Sequence, residues 1–219
     1  EFLPESEAID GCDAVIAVGG DGSIIHAAKL AAVKQKPILG VNAGRLAFMA
    51  GLEDNELHLL SRLIEGDYSL DKRLMLKANI IKNNEVILSD YCDNDCLITN
   101  EEKQRMTAID VSLNSSRFNS YLCDGVLVST PTGSTAYSLS AGGPVIDPRV
   151  KGVCITPVCA HSFASRAMVF PSESVIEVKN TCEREPNLFL TIDGRVNIRL
   201  DHGNIVRVMS SEKMTKLIR

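Results

Sequence analysis

The rhythm of apolar and polar positions changes once along the chain, near residues 68–75. Before that point, short apolar runs alternate with stretches of helical period. Residues 14–18 (AVIAV) are small, apolar and unbroken, the pattern of a buried parallel strand. Residues 23–32 follow, with Ile24, Ile25, Ala28 and Ala31 on one helical face. Residues 37–41 (PILGV) predict a second buried strand. Residues 53–65 predict an amphipathic helix with Leu57, Leu60 and Ile64 inward and His58 on its surface, closed by Gly66-Asp67. Strand, helix, strand, helix is the pattern of a small α/β domain around a parallel sheet.

From about Ser69 the pattern becomes one of short β-rich segments between turn residues. They cover 74–81, 85–89, 106–114, 121–130, 153–157, 169–170, 175–179, 188–192, 197–200 and 205–209. Such spacing predicts an antiparallel sandwich or folded sheet. Asn83-Asn84, Asn114-Ser115-Ser116 and Asp201-His202-Gly203-Asn204 read as hairpin connections. The expected fold class is therefore an α/β N-terminal domain with a parallel sheet, over 1–70, and a larger β-rich domain over 71–219. The last ~15 residues are candidates to return to the first domain.

Composition narrows the class. At 219 residues the chain is long enough to bury a proper core, and 45% hydrophobic with 23% charged residues is ordinary for a globular protein. A net charge of −5 with no basic tract argues against a nucleic-acid partner. No apolar run reaches the ~18 residues of a membrane span, and no secretory signal is legible. Seven cysteines at scattered positions do not make a disulfide framework; Cys92-x3-Cys96 and Cys154-x4-Cys159 lack zinc partners. Reduced, buried thiols and a cytoplasmic location are expected.

The chemistry concentrates in two stretches. The first is Gly19-Gly20-Asp21-Gly22, between the first strand and the first helix. Glycines there let the backbone approach an anion, and the helix start offers N–H groups and a favourable dipole. A carboxylate among phosphates is repulsive unless it holds Mg²⁺ or takes a proton from an attacking hydroxyl, the two tasks of a phosphoryl-transfer site. An ordinary tight turn with Asp21 as a helix cap is the alternative. No Gly-Lys-Ser/Thr follows, so this is not a Walker loop. A second glycine turn, Asn42 to Met49, follows the second strand, and Phe48 there is either core or a stacking surface for a flat ring.

The second stretch is residues 124–148, DGVLVSTPTGSTAYSLSAGGPVIDP. A strand breaks at Pro131 into a turn and a short helix start, ended by Gly142-Gly143-Pro144. Hydroxyls at 129, 130, 132, 134, 135, 137, 138 and 140 exceed what one turn needs. They suit hydrogen bonding to a ribose, an amide or a phosphate, although Ser and Thr also cap turns.

These stretches carry a resemblance. GGDG at 19–22, the GxLxF turn at 44–48, Asn100-Glu101, the string DGVLVSTPTGSTAYSLSAGGP at 124–144 and TPVCAHSFASR at 156–166 resemble the NAD kinases, in the right order over most of the chain. The resemblance implies a Rossmann-like N-terminal domain, here trimmed at its start, and a sandwich-like C-terminal domain. It implies Mg²⁺-dependent transfer of the ATP γ-phosphoryl group to the 2′-hydroxyl of the adenosine ribose of NAD, giving NADP. By position, Asp21 would activate the hydroxyl or hold the magnesium, and Gly19, Gly20 and Gly22 would face phosphates. Phe48 would lie against adenine, and Asn100 and Glu101 would bind adenosine. Thr132, Thr135, Ala136, Tyr137 and Ser140 would line the dinucleotide site, and Asp124 would reach the nicotinamide carboxamide. His161 would be structural. No dedicated metal-ligand cluster is assigned.

Two departures stand out: Ala47 where the family usually has Gly, and Ala160 where it has Pro. Family members also carry a strand and helix before GGDG and a terminal helix. A homo-oligomer, dimer or tetramer, is expected, with Asp124 serving the neighbouring subunit's nicotinamide. Asp124 and Thr132 are roughly 25 Å apart along an extended strand, too far to serve one group unless the chain folds back. The other readings are a catalytically silent NAD(P)-binding protein and a lipid or sugar kinase sharing GGDG.

Overall fold

The computed structural model describes residues 3–44, 47–100, 106–162, 165–180 and 188–219. The chain divides into two units, one running to Arg73 and including Glu212–Arg219, the other Leu74–Ser211.

The first unit contains α1 (Glu5–Asp10), β1 (Val15–Gly19), α2 (Asp21–Val33), β2 (Ile38–Asn42), β3 (Leu52–Glu53), a 3₁₀ segment (Asp54–Leu59) and α3 (Leu60–Glu65). β1 and β2 pair in parallel from Val15↔Ile38 to Gly19↔Asn42, and β3 joins β2 at Val41↔Leu52. Near the chain end Leu217 pairs in parallel with Ile38. α2 lies on this sheet through Ile24, Ala27, Ala28 and Ala31, which pack with Ala17, Ile38, Met49 and Leu217. Alanine at three of those four helical positions keeps the helix close to the strands.

Two expectations need correction. β1 is not buried on both sides: Ala17 is, but Ile16 is 47% and Val18 65% exposed. Among the described residues β1 pairs only with β2, and α2 covers one face, so alternate side chains face outward. The helix expected over 53–65 opens with a 3₁₀ segment, where three residues per turn replace 3.6 and move the apolar stripe. Ile64 is 91% exposed, while Leu59 and Leu63, with Leu39, Leu52 and Ile218, line a small hollow. The 3₁₀ start is stabilised by a capping box between Glu53 and Glu56.

Among the described residues, the second unit is β apart from a 3₁₀ turn and one short helix. It holds most of β4 (Leu70–Lys82), then β5 (Glu85–Cys92), β6 (Asp95–Asn100), β7 (Thr107–Leu113), β8 (Ser116–Cys123) and β9 (Gly125–Ser129). A 3₁₀ turn (Thr132–Thr135) and α4 (Tyr137–Ser140) follow. β10 (Gly152–Val158), β11 (Met168–Pro171), β12 (Ile176–Asn180), β13 (Leu188–Ile192), β14 (Val196–Leu200) and the first half of β15 (Ile205–Ile218) complete it. Six strands form one antiparallel sheet in the order β11-β10-β9-β6-β13-β14. Opposite it, β12 lies between β7 and β15, β8 pairs with β7, and β4 with β5. One core joins the two layers, including Ile80, Ile109 and Val178 from one and Ile98, Val126, Ile155 and Leu190 from the other. The architecture is thus a small α/β part and a larger antiparallel β part, as the pattern predicts.

Within the segment read as one strand over 121–130, the chain changes sheets at Asp124, between β8 and β9. β6, absent from the sequence reading, fills the centre of the second sheet. Asn83-Asn84 and Asn114-Ser115 hold positive φ at both central positions, the geometry of tight hairpin turns. The 201–204 turn is not a hairpin, because β14 and β15 belong to different sheets. Asp193-Gly194, also at positive φ, makes the hairpin between β13 and β14. Among the described residues, no helix is long and apolar enough to cross a membrane.

Candidate functional site

In the first unit, β1 ends at Gly19 and α2 begins at Asp21. A side chain at Gly19, whose φ is +155°, would run into the Ser23 Cβ at 2.9 Å, so the turn needs glycine there. Gly20 caps the helix in extended conformation, its carbonyl accepting from the Ser23 and Ile24 amides at 3.0 and 3.1 Å. Space beside the Gly20 Cα is open, and Gly22 lies exposed in the first helical turn. The turn after β2 stands next to this loop. The Ala43 amide donates to the Gly19 carbonyl at 3.2 Å, and the Gly20 Cα is 3.6 Å from where a Gly44 side chain would begin. Buried Asn42 braces that turn, accepting from the Gly44 amide and donating to Glu53, each at 2.9 Å.

Asp21 does not cap its own helix. Its Oδ2 accepts from the Phe48 amide at 3.0 Å and its Oδ1 from the Met49 amide at 2.9 Å. The carboxylate therefore ties the two glycine turns together, and each oxygen keeps a second lone pair for another partner. Phe48, beside it, is 61% exposed. Core packing, the commoner fate of a lone Phe, is thereby excluded for this ring.

In the second unit, an open pocket of about 400 Å³ is lined by Leu97, Thr99, Asn100, Asp124, Tyr137, Val158 and Cys159. Three residues singled out in the sequence meet there: Asn100, Asp124 and Tyr137. Asp124 is anchored through its backbone, its amide donating to the Val158 carbonyl at 3.0 Å. Its carbonyl accepts from Thr99 Oγ1 at 2.9 Å and the Asn100 amide at 3.3 Å. The side chain is left to face the pocket. Partial desolvation and the neighbouring Asp124 carboxylate, which accepts from it, push the thiol of exposed Cys159 above its usual range. Tyr137, 46% exposed, opens α4 directly after the 132–135 turn. The chain thus does fold back towards Asp124, although Thr132 does not reach the pocket lining.

Much of the hydroxyl-rich stretch serves the fold. Thr130 Oγ1 donates to the Asp93 carbonyl at 2.5 Å, Ser134 Oγ to the Pro131 carbonyl at 2.6 Å, and Thr135 Oγ1 to the Thr132 carbonyl at 3.2 Å. Ser138 and Thr156 share a hydrogen bond at 3.1 Å. Ala136 lies between the 3₁₀ turn and α4, and Ser140 is exposed at the end of α4. His161 donates its backbone amide to the Leu122 carbonyl at 2.8 Å. Glu101 lies outside the described residues. Thr99, Val158 and Cys159 escaped sequence reasoning because only the sheet register brings the ends of β6 and β10 beside Asp124.

A glycine loop feeding a helix, a clamped carboxylate and a pocket in a β-rich unit where Asn100, Asp124 and Tyr137 converge are the parts of a phosphorylated-nucleotide site. Comparison with known proteins makes that specific. Residues 4–68 match the ATP-NAD kinase N-terminal domain and residues 93–219 the ATP-NAD kinase C-terminal domain. The chain is 40% identical over 208 residues to an NAD kinase of Thermoanaerobacter sp. (strain X514), covering 94% of this chain and 73% of that one. It is 35% identical over 219 residues to an NAD kinase of Citrifermentans bemidjiense, covering 100% and 76%. Among solved structures, yeast NADH kinase complexed with NADH superposes with a TM-score of 0.89 at 26% identity, over 99% of this chain and 64% of that one. An Archaeoglobus fulgidus NAD kinase in complex with ATP shares the fold, with a TM-score of 0.83 at 23% identity over 100% and 82%. The chain belongs to the NAD kinase family.

Proposed function

We propose that this chain transfers the γ-phosphoryl group of ATP to the 2′-hydroxyl of the adenosine ribose of NAD, forming NADP. The observation that carries the reading is Asp21, held by two backbone amides at the phosphate-binding loop with lone pairs to spare. A carboxylate so placed is oriented without rotamer freedom, and a hydroxyl hydrogen-bonded to it would lose its proton there as the phosphoryl group arrives. Gly19, Gly20 and Gly22 let phosphates approach the start of α2, whose amides and dipole favour negative charge.

Magnesium fits this loop. Mg²⁺ suits such a setting, because it takes one or two carboxylates and completes its shell with phosphate oxygens and water. Asp21 would be its protein ligand, and the ion when bound would neutralise phosphate charge.

Exposed Phe48 offers its face to adenine. Asn100 and Glu101 take the adenosine, Asp124 takes the nicotinamide carboxamide, and Tyr137 lines the dinucleotide site. Thr132, Ala136 and Ser140 line the dinucleotide site, and Thr135, whose hydroxyl is engaged locally, contributes through its backbone. A homo-oligomer with a shared site, and a cytoplasmic location, complete the proposal. Free buried thiols at Cys92, Cys96, Cys123 and Cys154 support a reducing compartment.

One observation favours a second reading. A carboxylate that clamps Phe48 and Met49 has a structural task, which a catalytically silent NAD(P)-binding protein would also need. Incubation with NAD, ATP and Mg²⁺, with NADP read by an NADP-specific dehydrogenase, decides between them. NADP formation supports the kinase; NAD binding without NADP supports the silent binder.

A further inference from the structure

We propose that Asp193 is a positioning residue for the 130–136 turn, acting through the backbone of the 93–95 turn. The claim deepens the dinucleotide-site reading above and rests on it. Asp193 stands in the β13–β14 hairpin at a φ of 48°, a conformation that aspartate and asparagine tolerate best among side-chain-bearing residues. Its carboxylate accepts from three successive amides, those of Asp93 at 3.1 Å, Asn94 at 2.8 Å and Asp95 at 3.2 Å. Its own amide donates to the Asp95 carbonyl at 3.0 Å. This one residue therefore sets the shape of the link between β5 and β6.

That link carries the hydroxyl-rich turn on its other side. The Asn94 carbonyl accepts from the Thr130 amide at 2.8 Å, and the Asp93 carbonyl from Thr130 Oγ1 at 2.5 Å. Thr130 Oγ1 in turn accepts from the Gly133 amide at 3.0 Å. A side chain at Gly133 would collide with the Asn94 backbone, so the two turns are in contact with no room between them. Asp193, 53 residues beyond Ser140, thus reaches the start of the TGSTAY segment through two buried turns. Backbone amides fixed on a carboxylate are a rigid support, and Thr130 is fully buried. A displacement of the 93–95 turn would pass directly to Gly133 and the residues leading to Tyr137.

The test uses the full chain. Asp193→Asn keeps the backbone conformation but puts an amide group against at least one of the three donors. NAD should bind roughly tenfold more weakly by calorimetry, with ATP affinity within about twofold. The Gly133 amide should exchange its hydrogen faster, while β10 amides stay protected. Thr130→Val breaks the second link and should give the same split. The double variant should lose no more than either single one, because both act on one chain of bonds. Equal weakening of NAD and ATP, or additive losses in the double variant, would overturn the proposal. If Asp193→Asn fails to fold, the unaltered chain still decides, since a rapidly exchanging Gly133 amide is incompatible with the network. If the unaltered chain does not bind NAD at all, the dinucleotide reading fails, while the exchange at Gly133 still reports on the positioning.

Discussion

Replacing Asp21 by asparagine tests both tasks the structure gives that carboxylate. The substitution is isosteric, but the amide nitrogen must face one of two donors, the Phe48 amide at 3.0 Å or the Met49 amide at 2.9 Å. One hydrogen bond to a charged acceptor is lost and the other becomes neutral, at a cost of about 1–3 kcal/mol. Loss of negative charge in the first turn of α2 adds about 0.3–1 kcal/mol. Partial exposure of the site puts the sum near the lower end, about 2 kcal/mol, which for a chain of this size is a fall in Tm of roughly 4–8 °C. Turnover should fall much further, by about 10²–10⁴-fold, because proton removal and charge stabilisation act in the transition state. NAD affinity should stay within a few-fold. Thermal melts and initial rates on the same preparations give both numbers. A lowered Tm with near-normal kcat would make Asp21 a clamp and nothing more; an unchanged Tm would contradict the clamp.

Tyr137→Ala should raise the KM for NAD far more than that for ATP, since it removes an exposed ring from the pocket shared with Asn100 and Asp124; the reverse pattern would exchange the roles of the two motifs. Mixing inactive Asp21→Asn and Asp124→Ala chains should restore part of the activity if sites are shared between subunits, and exchange of subunits without recovery would place Asp124 in its own subunit's site. Asp95 is pushed up to about 7 by burial and the adjacent Asp193 carboxylate, against about 3.9 unfolded. Between those values the folded chain keeps a proton that the unfolded chain has lost, so this group's contribution is greatest in acid and declines as pH rises to about 7, by up to about 4 kcal/mol. Asp95→Asn should flatten that part of the Tm–pH profile and raise Tm at pH 8; a profile parallel to that of the unaltered chain would refute the assignment.

What was legible in the sequence was local. Residues 14–32 show a strand, a glycine loop and a helix within one window, and the β-rich remainder shows its turns through Asn83-Asn84 and Asn114-Ser115. What was not legible depended on long-range pairing. The partners of Asp21 lie 27 and 28 residues away, and only the closeness of the β1 and β2 ends brings them to it. Thr99, Val158 and Cys159 join Asp124 through register between strands far apart in the chain. The hydroxyls of Thr130, Ser134 and Ser138 looked available for a ligand, yet they face inward because the segment turns tightly against the 93–95 link and β10. A run of serines and threonines states the capacity to hydrogen-bond, not its direction.

The most direct test is the fate of the terminal phosphoryl group. With γ-labelled ATP, Mg²⁺ and NAD, ³¹P and ¹H NMR of the purified product should show the label as a phosphomonoester at the 2′ oxygen of the adenosine ribose, and Asp21→Asn should reduce its formation by at least about a hundredfold. Label found only in inorganic phosphate, or on any hydroxyl other than the adenosine 2′-hydroxyl, would contradict the account.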